Sequence, residues 1–273
     1  MSNTTVRPPC EGKRLSLRMP PFNETAYLSA LGLTRPLVAD LNYLQTLTQR
    51  HLHRIPFENL DIHLGIPIQF DLDHLFTKII SQGRGGFCYE LNGLFYALLQ
   101  CLGYQVWLIS ARVYDNPRKY SPAYDHMAIV VQLSDGIYLA DVGFGSFSEH
   151  PIRLEEGVVT HDGATNYRVD RYYQYYRISA YTNQQWIPEY ICKLNPQPWQ
   201  AFHNRSLYHQ YDDGSHFRKG PVITKLTAEG RITLTDQKLK FQGKAKPVEN
   251  MEQFAQLLYR HFGLSWKDLR QDS

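Results

Sequence analysis

Apolar positions in the first hundred residues recur at helical spacing; beyond Gly103 they switch to strand-like runs. Asn23 to Leu31 reads as a short helix, capped by Asn23 and ended by Gly32. Leu37, Leu41, Leu44 and Leu47 form a stripe that predicts a second helix. It opens near Pro36, a residue tolerated at the first helical position. It stops at Arg54-Ile55-Pro56, because the residue before a proline avoids the helical region. A third helix begins at Asp71 or Asp73, with Leu72, Leu75, Phe76, Ile79 and Ile80 as its apolar face and Gly83 at its end. The run Arg84-Gly85-Gly86-Phe87-Cys88-Tyr89-Glu90 precedes a fourth stripe, Leu91, Leu94, Phe95, Leu98 and Leu99, which Gly103 stops. Cys88 therefore stands at a helix start, just after a double glycine.

Gln105 to Val113 is β-branched and aromatic, hence a strand, and Asp115 to Tyr124, with two prolines, a loop. His126–Leu133 and Ile137–Phe144 read as strands joined at Ser134-Asp135-Gly136, where Asp-Gly signals a hairpin. Further strand-like runs cover Tyr167–Val169, Tyr173–Tyr181, Val222–Lys225 and Arg231–Thr235. Met251, Phe254, Leu257 and Leu258 mark an amphipathic helix over Glu249–Phe262. The order is helices, then antiparallel strands, then a mixed end.

Length and composition narrow the function classes. The 273 residues suit one large domain or two to three small ones. With 29 Lys and Arg against 26 Asp and Glu, the net charge of +3 is too weak a field to argue for nucleic acid. No run of about 18 apolar residues predicts a membrane span, and Met1 to Leu17 lacks the apolar stretch of a signal peptide. The four cysteines, Cys10, Cys88, Cys101 and Cys192, form no CxxC pair, which argues against structural zinc and for a reduced, cytoplasmic protein.

Three residues are candidates for chemistry. Cys88 is either a buried cysteine after a glycine turn or a reactive thiol. For the second reading, the free N–H groups and dipole of a helix start stabilise a thiolate, and the glycines let a substrate approach the backbone. His126 opens a strand, where it can act as a general base. Asp141 interrupts the apolar run Ile137 to Val142, and a carboxylate buried there needs a partner. In a simple hairpin Ser134 faces Ile137, so Asp141 faces Val130, on the same sheet face as His126. The two are then four residues apart along the ladder, roughly 13 Å, too far for a hydrogen bond without a wider turn, a bulge or strong twist. Glu58 and Asn59 lie among apolar residues and require internal partners. Arg84 is a candidate partner for Glu58 or Glu90.

Arg54-Ile-Pro-Phe-Glu-Asn-Leu60, Arg84-Gly-Gly-Phe-Cys-Tyr-Glu-Leu-Asn92 and Leu139-Ala-Asp-Val-Gly-Phe-Gly145 resemble, in order and spacing, the three signatures of the arylamine N-acetyltransferases, with His126 at the family's histidine position. The resemblance runs from about Phe22 to the C-terminus. Pro122-Ala-Tyr-Asp125, just before the histidine, departs from the family's usual run. Residues 1–20 read as a tail, longer before Met19 than in typical members; the resemblance implies an α+β chain with a helical bundle over 21–103, a central antiparallel β-barrel over 104–205 and a C-terminal α/β lid over 206–273. It implies a Cys–His–Asp core of the cysteine-protease and transglutaminase kind, here Cys88, His126 and Asp141. It also implies substrate contacts at Phe57, Val113 and Phe144, and a coenzyme contact at Gly145. The implied reaction moves an acetyl group from acetyl-CoA through a Cys88 thioester to an arylamine or arylhydrazine, without a metal, a nucleic-acid partner or a membrane. An amide synthase, a transglutaminase-like or cysteine-hydrolase enzyme, and an idle small-molecule binder remain the alternatives.

Overall fold

The computed structural model describes residues 22–116, 119–163 and 165–270. The predicted tail, with Cys10, lies outside the described residues. Helix α1 (Glu24–Leu31) has the expected caps: Asn23 accepts from the Ala26 amide at 3.0 Å, and Gly32 adopts φ +69°. Helix α2 spans Leu41–Arg54, not from Pro36, because Asp40 caps it by accepting from the Tyr43 amide at 2.9 Å. Leu44 and Leu47 are buried as predicted, whereas Leu37, before the cap, is fully exposed. A two-residue strand, β1 (Phe57–Glu58), and a short helix, α3 (Leu60–Leu64), follow. Helix α4 (Leu72–Phe76), capped by Asp71, widens into a π-turn over Thr77–Ser81. Helix α5 (Cys88–Cys101) is buried on nearly every side, with Leu91, Leu94, Phe95, Leu98 and Leu99 at the centre of the core.

Strand β2 (Gln105–Asn116) runs three residues past its predicted end, and β3 (Lys119–Tyr120) folds back on it, so the expected loop is partly strand. Strands β4 (His126–Leu133) and β5 (Gly136–Ala140) form the hairpin. Short β6 (Ile152–Arg153) and β7 (Val159–Asp162) precede β8 (Thr165–Tyr172), β9 (Tyr175–Thr182) and β10 (Gln185–Cys192). Tyr173, predicted to lie in a strand, sits in the β8–β9 turn at φ +53°. The eight long-path strands, ordered β6-β5-β4-β2-β10-β9-β8-β7, curl into a nearly closed antiparallel barrel. Its separate core includes Ile109, Val130, Val169, Ile178 and Tyr190.

Helix α6 (His203–Tyr211) leads to a second sheet, β11 (Val222–Thr227), β12 (Gly230–Thr235), β13 (Lys238–Phe241) and β14 (Lys244–Pro247). Helices α7 (Met251–Phe262), capped by Asn250, and α8 (Trp266–Leu269) pack on it. The fifth strand of that sheet is β1, with Phe57 opposite Thr224. No described helix is long and apolar enough to cross a membrane.

Candidate active site

The glycines of Arg84-Gly85-Gly86 serve the protein's own backbone, which corrects the expectation that they open space for a substrate. A Cβ on Gly85 would stand 2.1 Å from the Pro56 carbonyl oxygen, and one on Gly86 3.0 Å from the Glu90 Cβ. That close approach lets the Glu58 amide donate to the Gly86 carbonyl at 2.9 Å, so the segment before Cys88 is laced to β1. Glu90 accepts from the Phe87 amide at 2.9 Å and closes the start of α5.

Beneath this start lies a buried ion network. Arg84 contacts Glu58 at 2.8 Å and Asp61 at 2.5 Å; Lys78 contacts Asp61 at 2.6 Å and Glu90 at 2.7 Å. Of the two partners foreseen for Arg84, it takes Glu58, and Glu90 goes to Lys78. Burial opposes every charge here. Glu90, Glu58 and Asp61 outweigh it for Lys78, and Glu58 and Asp61 for Arg84, so both pKa values rise, while burial wins at Glu90 and pushes its carboxyl up. Asn59 donates to the Phe217 carbonyl at 2.8 Å and accepts from the Val222 amide at 2.7 Å, tying β1 to the segment before β11.

Two α5 side chains one turn apart hold the start of β4. The Tyr89 hydroxyl donates to the Tyr124 and Asp125 carbonyls at 2.7 and 3.2 Å, and Asn92 donates to the Met127 carbonyl at 2.6 Å. These contacts flank His126 and fix it against the first turn of α5. The hairpin register then brings in Asp141. Leu133 pairs with Gly136 and Ile129 with Ala140, so the ladder slips by two positions from the simple hairpin. Asp141 stays on the predicted face but lies just past Ala140, two residues rather than four from His126. The strand ends there because Asp141 and Val142 are taken up by side-chain contacts. Asp141 Oδ2 accepts from His126 Nε2 at 2.6 Å and from the Tyr190 hydroxyl at 3.0 Å. Its Oδ1 accepts from Asn92 at 2.9 Å and from the Gly143 amide at 3.0 Å. Asn92 Oδ1 also accepts from the Val142 amide at 3.0 Å. Burial alone would raise the Asp141 pKa; the His126, Asn92 and Gly143 contacts outweigh it and hold the carboxyl below its ordinary value.

Cys88 is buried, and of the two readings open from the sequence a free helix-start thiolate is not favoured. Burial, then the Asp125 and Asp141 charges, push the thiol well up, while the Met127 and Tyr89 amides pull it back only in part. A thiolate at this position therefore needs an adjacent cation.

Cys88 and His126 open onto one cavity of about 200 Å³. Phe57, Val113 and Phe144 line it, together with Phe217, His216 and Asp125. The Phe144 ring packs edge-on to His126 at 5.0 Å. Gly145 is adjacent to this wall rather than in it: its carbonyl accepts from Arg231, and it adopts φ +86° beside the Phe57 ring. No role was assigned from the sequence to Asn92, Tyr190, Asp125 or Phe217. Asn92 carried a signal as the polar residue one turn after Cys88 in an otherwise apolar stripe, and Asp125 as the end of the run that departs from the family's.

The sequence matches the N-acetyltransferase family over residues 40–270. It is 32% identical over 253 residues to the arylamine N-acetyltransferase of Mycolicibacterium smegmatis, covering 89% of this chain and 92% of the relative. The solved structure of the M. smegmatis enzyme superposes with a TM-score of 0.84 at 32% identity, over 91% of this chain and 94% of that one. The Mycobacterium marinum arylamine N-acetyltransferase in complex with CoA superposes with a TM-score of 0.84 at 28% identity, over 90% and 94%. The resemblance read from three short motifs extends through sequence and fold alike, and the chain belongs to the arylamine N-acetyltransferase family.

Proposed function

We propose that the protein transfers an acetyl group from acetyl-CoA to arylamines or arylhydrazines in two half-reactions, with Cys88, His126 and Asp141 as its catalytic residues. The carrying observation is the single cavity onto which a buried thiol and an Asp141-held imidazole open between aromatic rings. His126 takes the Cys88 proton, and the resulting imidazolium supplies the cation that a thiolate needs there. The thiolate attacks the thioester carbonyl. The Cys88 amide, a helix-start donor without an intrahelical acceptor, is placed to bond the oxyanion. The intermediate collapses, the coenzyme sulfur leaves with the proton from His126, and the acetyl group remains on Cys88. An amine then attacks this thioester, His126 takes its proton, and the Cys88 thiolate departs. Asp141 orients the imidazole throughout.

An apolar cavity of about 150 Å³ accommodates one benzene, so the 200 Å³ here suits one substituted ring. We assign Phe57, Val113 and Phe144 to that ring and Gly145 to the coenzyme side. We also propose the division into a helical bundle (21–103), a barrel (104–205) and a lid (206–273). The free thiols of Cys88, Cys101 and Cys192 support a cytoplasmic setting.

Intact mass after incubation with acetyl-CoA tests the reading. One acetyl adduct is expected on the wild type, discharged by an arylhydrazine and missing in Cys88→Ala. No adduct on the wild type, or one that survives Cys88→Ala, contradicts it.

A further inference from the structure

The cavity wall holds a fixed charge that the triad does not use. Asp125 immediately precedes His126, is only 7% exposed and lines the same space. Its Oδ1 takes Arg205 Nε at 2.6 Å and Nη2 at 2.5 Å, and His209 Nε2 stands 3.1 Å away. Arg205 and His209 belong to α6, and neither lines the cavity. These contacts overcome burial and hold the Asp125 carboxyl well below the carboxylate range, so it stays ionised at neutral pH. It cannot turn away without abandoning both α6 partners. The rest of the wall outside the triad is apolar, through Phe57, Val113, Phe144 and Phe217, apart from His216, whose burial disfavours its charged form. A ring seated beside Cys88 therefore meets one anion in a mostly apolar wall.

We propose that Asp125 determines substrate charge, admitting neutral arylamines and hydrazines and turning away rings that carry a second, anionic group. The inference rests on the acetyl-transfer reading above and adds to it the class of amine. In a cavity that holds one ring, an anionic substituent has no position far from Asp125. Repulsion across a ring, reduced by the Arg205 guanidinium bonded to the same carboxylate, is a discrimination of about tenfold, ~1.4 kcal/mol.

The experiment compares kcat/KM for 4-aminobenzamide and 4-aminobenzoate, near-isosteric rings that differ in charge. The amide-to-acid ratio is measured in wild type, Asp125→Asn and Arg205→Gln, so that differences in ring electronics cancel between proteins. Asp125→Asn is expected to lower the ratio by about tenfold. Arg205→Gln keeps the carboxylate, removes its counter-charge and is expected to raise the ratio. A loss of packing alone slows both amines together and leaves the ratio where it was. Ratios within about twofold of wild type in both variants overturn the proposal. Should Asp125→Asn fail to fold, Arg205→Gln decides alone: a raised ratio supports the proposal and an unchanged one overturns it. A wild type that forms no acetyl-Cys88 with acetyl-CoA removes the reaction and this inference together. An adduct that acetylates both amines, with a ratio indifferent to the variants, removes the inference alone.

Discussion

Asn92→Ala is the sharpest probe of how the site is held together. Asn92 is fully buried and makes three contacts: to the Met127 carbonyl, to Asp141 Oδ1 and from the Val142 amide. Alanine removes a charge-assisted bond worth roughly 1.5–3 kcal/mol and leaves a buried Val142 N–H unpaired at a further cost of about 1–3 kcal/mol. The sum, about 2.5–6 kcal/mol, is a large share of an ordinary stability of about 5–15 kcal/mol. At roughly 2–4 °C per kcal/mol, the melting temperature should fall by about 10 °C. Asp141 keeps its contacts with Gly143, Tyr190 and His126, so the imidazole is loosened rather than lost. A deficit of roughly 1.5–3 kcal/mol in the transition state is a 10- to 150-fold loss in kcat/KM. The assay is thiol release from acetyl-CoA with an arylhydrazine at 20 °C, where the variant remains folded, alongside thermal unfolding. Asn92→Asp has the same shape but sets a second carboxylate 2.9 Å from Asp141 Oδ1. Two carboxylates at that range do not both ionise, and its activity at pH 7 should fall below that of the alanine variant. Asn92→Ala with kcat/KM within about threefold and a melting temperature within about 2 °C of wild type would refute the reasoning.

Other outcomes follow from the same contacts. Gly143→Ala places a methyl 2.8 Å from Asn92 Nδ2 and 3.0 Å from the Cys88 Cα and carbonyl; because backbone must give way, activity should drop by about 100-fold, read in kcat/KM. His126→Gln should slow alkylation of Cys88 by iodoacetamide by more than about tenfold at pH 7, since burial and two carboxylates push the lone thiol up; equal rates in the two proteins contradict the ion-pair account. Lys78→Met strips Asp61 and Glu90 of a shared cation and should cost about 3–5 kcal/mol in a denaturant titration, part of which Glu90→Gln restores in the double variant. Glu189 reads out in pH. Burial raises its carboxyl from 4.5 to about 7, so the folded state holds the proton more tightly, and the stability this confers below pH 4 is lost as pH rises towards 7. Glu189→Gln should therefore stabilise the protein at pH 8, by up to about 3 kcal/mol, and leave it little changed at pH 4; equal gains at both pH values count against the assignment.

The three motifs and the faces of α5 and β4 were readable because periodicity and residue order are local. So was the shared face of His126 and Asp141, since alternation survives any even slip of the ladder. The distance between them was not: it depends on which residue pairs with Gly136, and Asp-Gly chemistry alone does not decide that. The helix near Pro36 was misplaced because a side-chain cap at Asp40 outweighed a tolerated proline. The glycines before Cys88 were identified, but their purpose depends on Pro56, nearly thirty residues away in the chain. Tyr190 carried no local signal at all, and Asp125 only its place in the run that departs from the family's; each acquires its position only when a distant element packs against it.

The two-residue strand β1 has a consequence for how the chain acquires activity during synthesis. Phe57 and Glu58 pair along one edge with Gly86 and along the other only with Thr224 and Ile223, and Phe57 shares the cavity wall with Phe217. On the ribosome, the helices and barrel emerge first and can collapse while that other edge of β1 stays bare. The pocket acquires its last wall only when the β11 segment leaves the exit tunnel. Such distant pairing is slow to form, and a nascent chain that already carries Cys88, His126 and Asp141 still waits on its final fifth before it can enclose a ring.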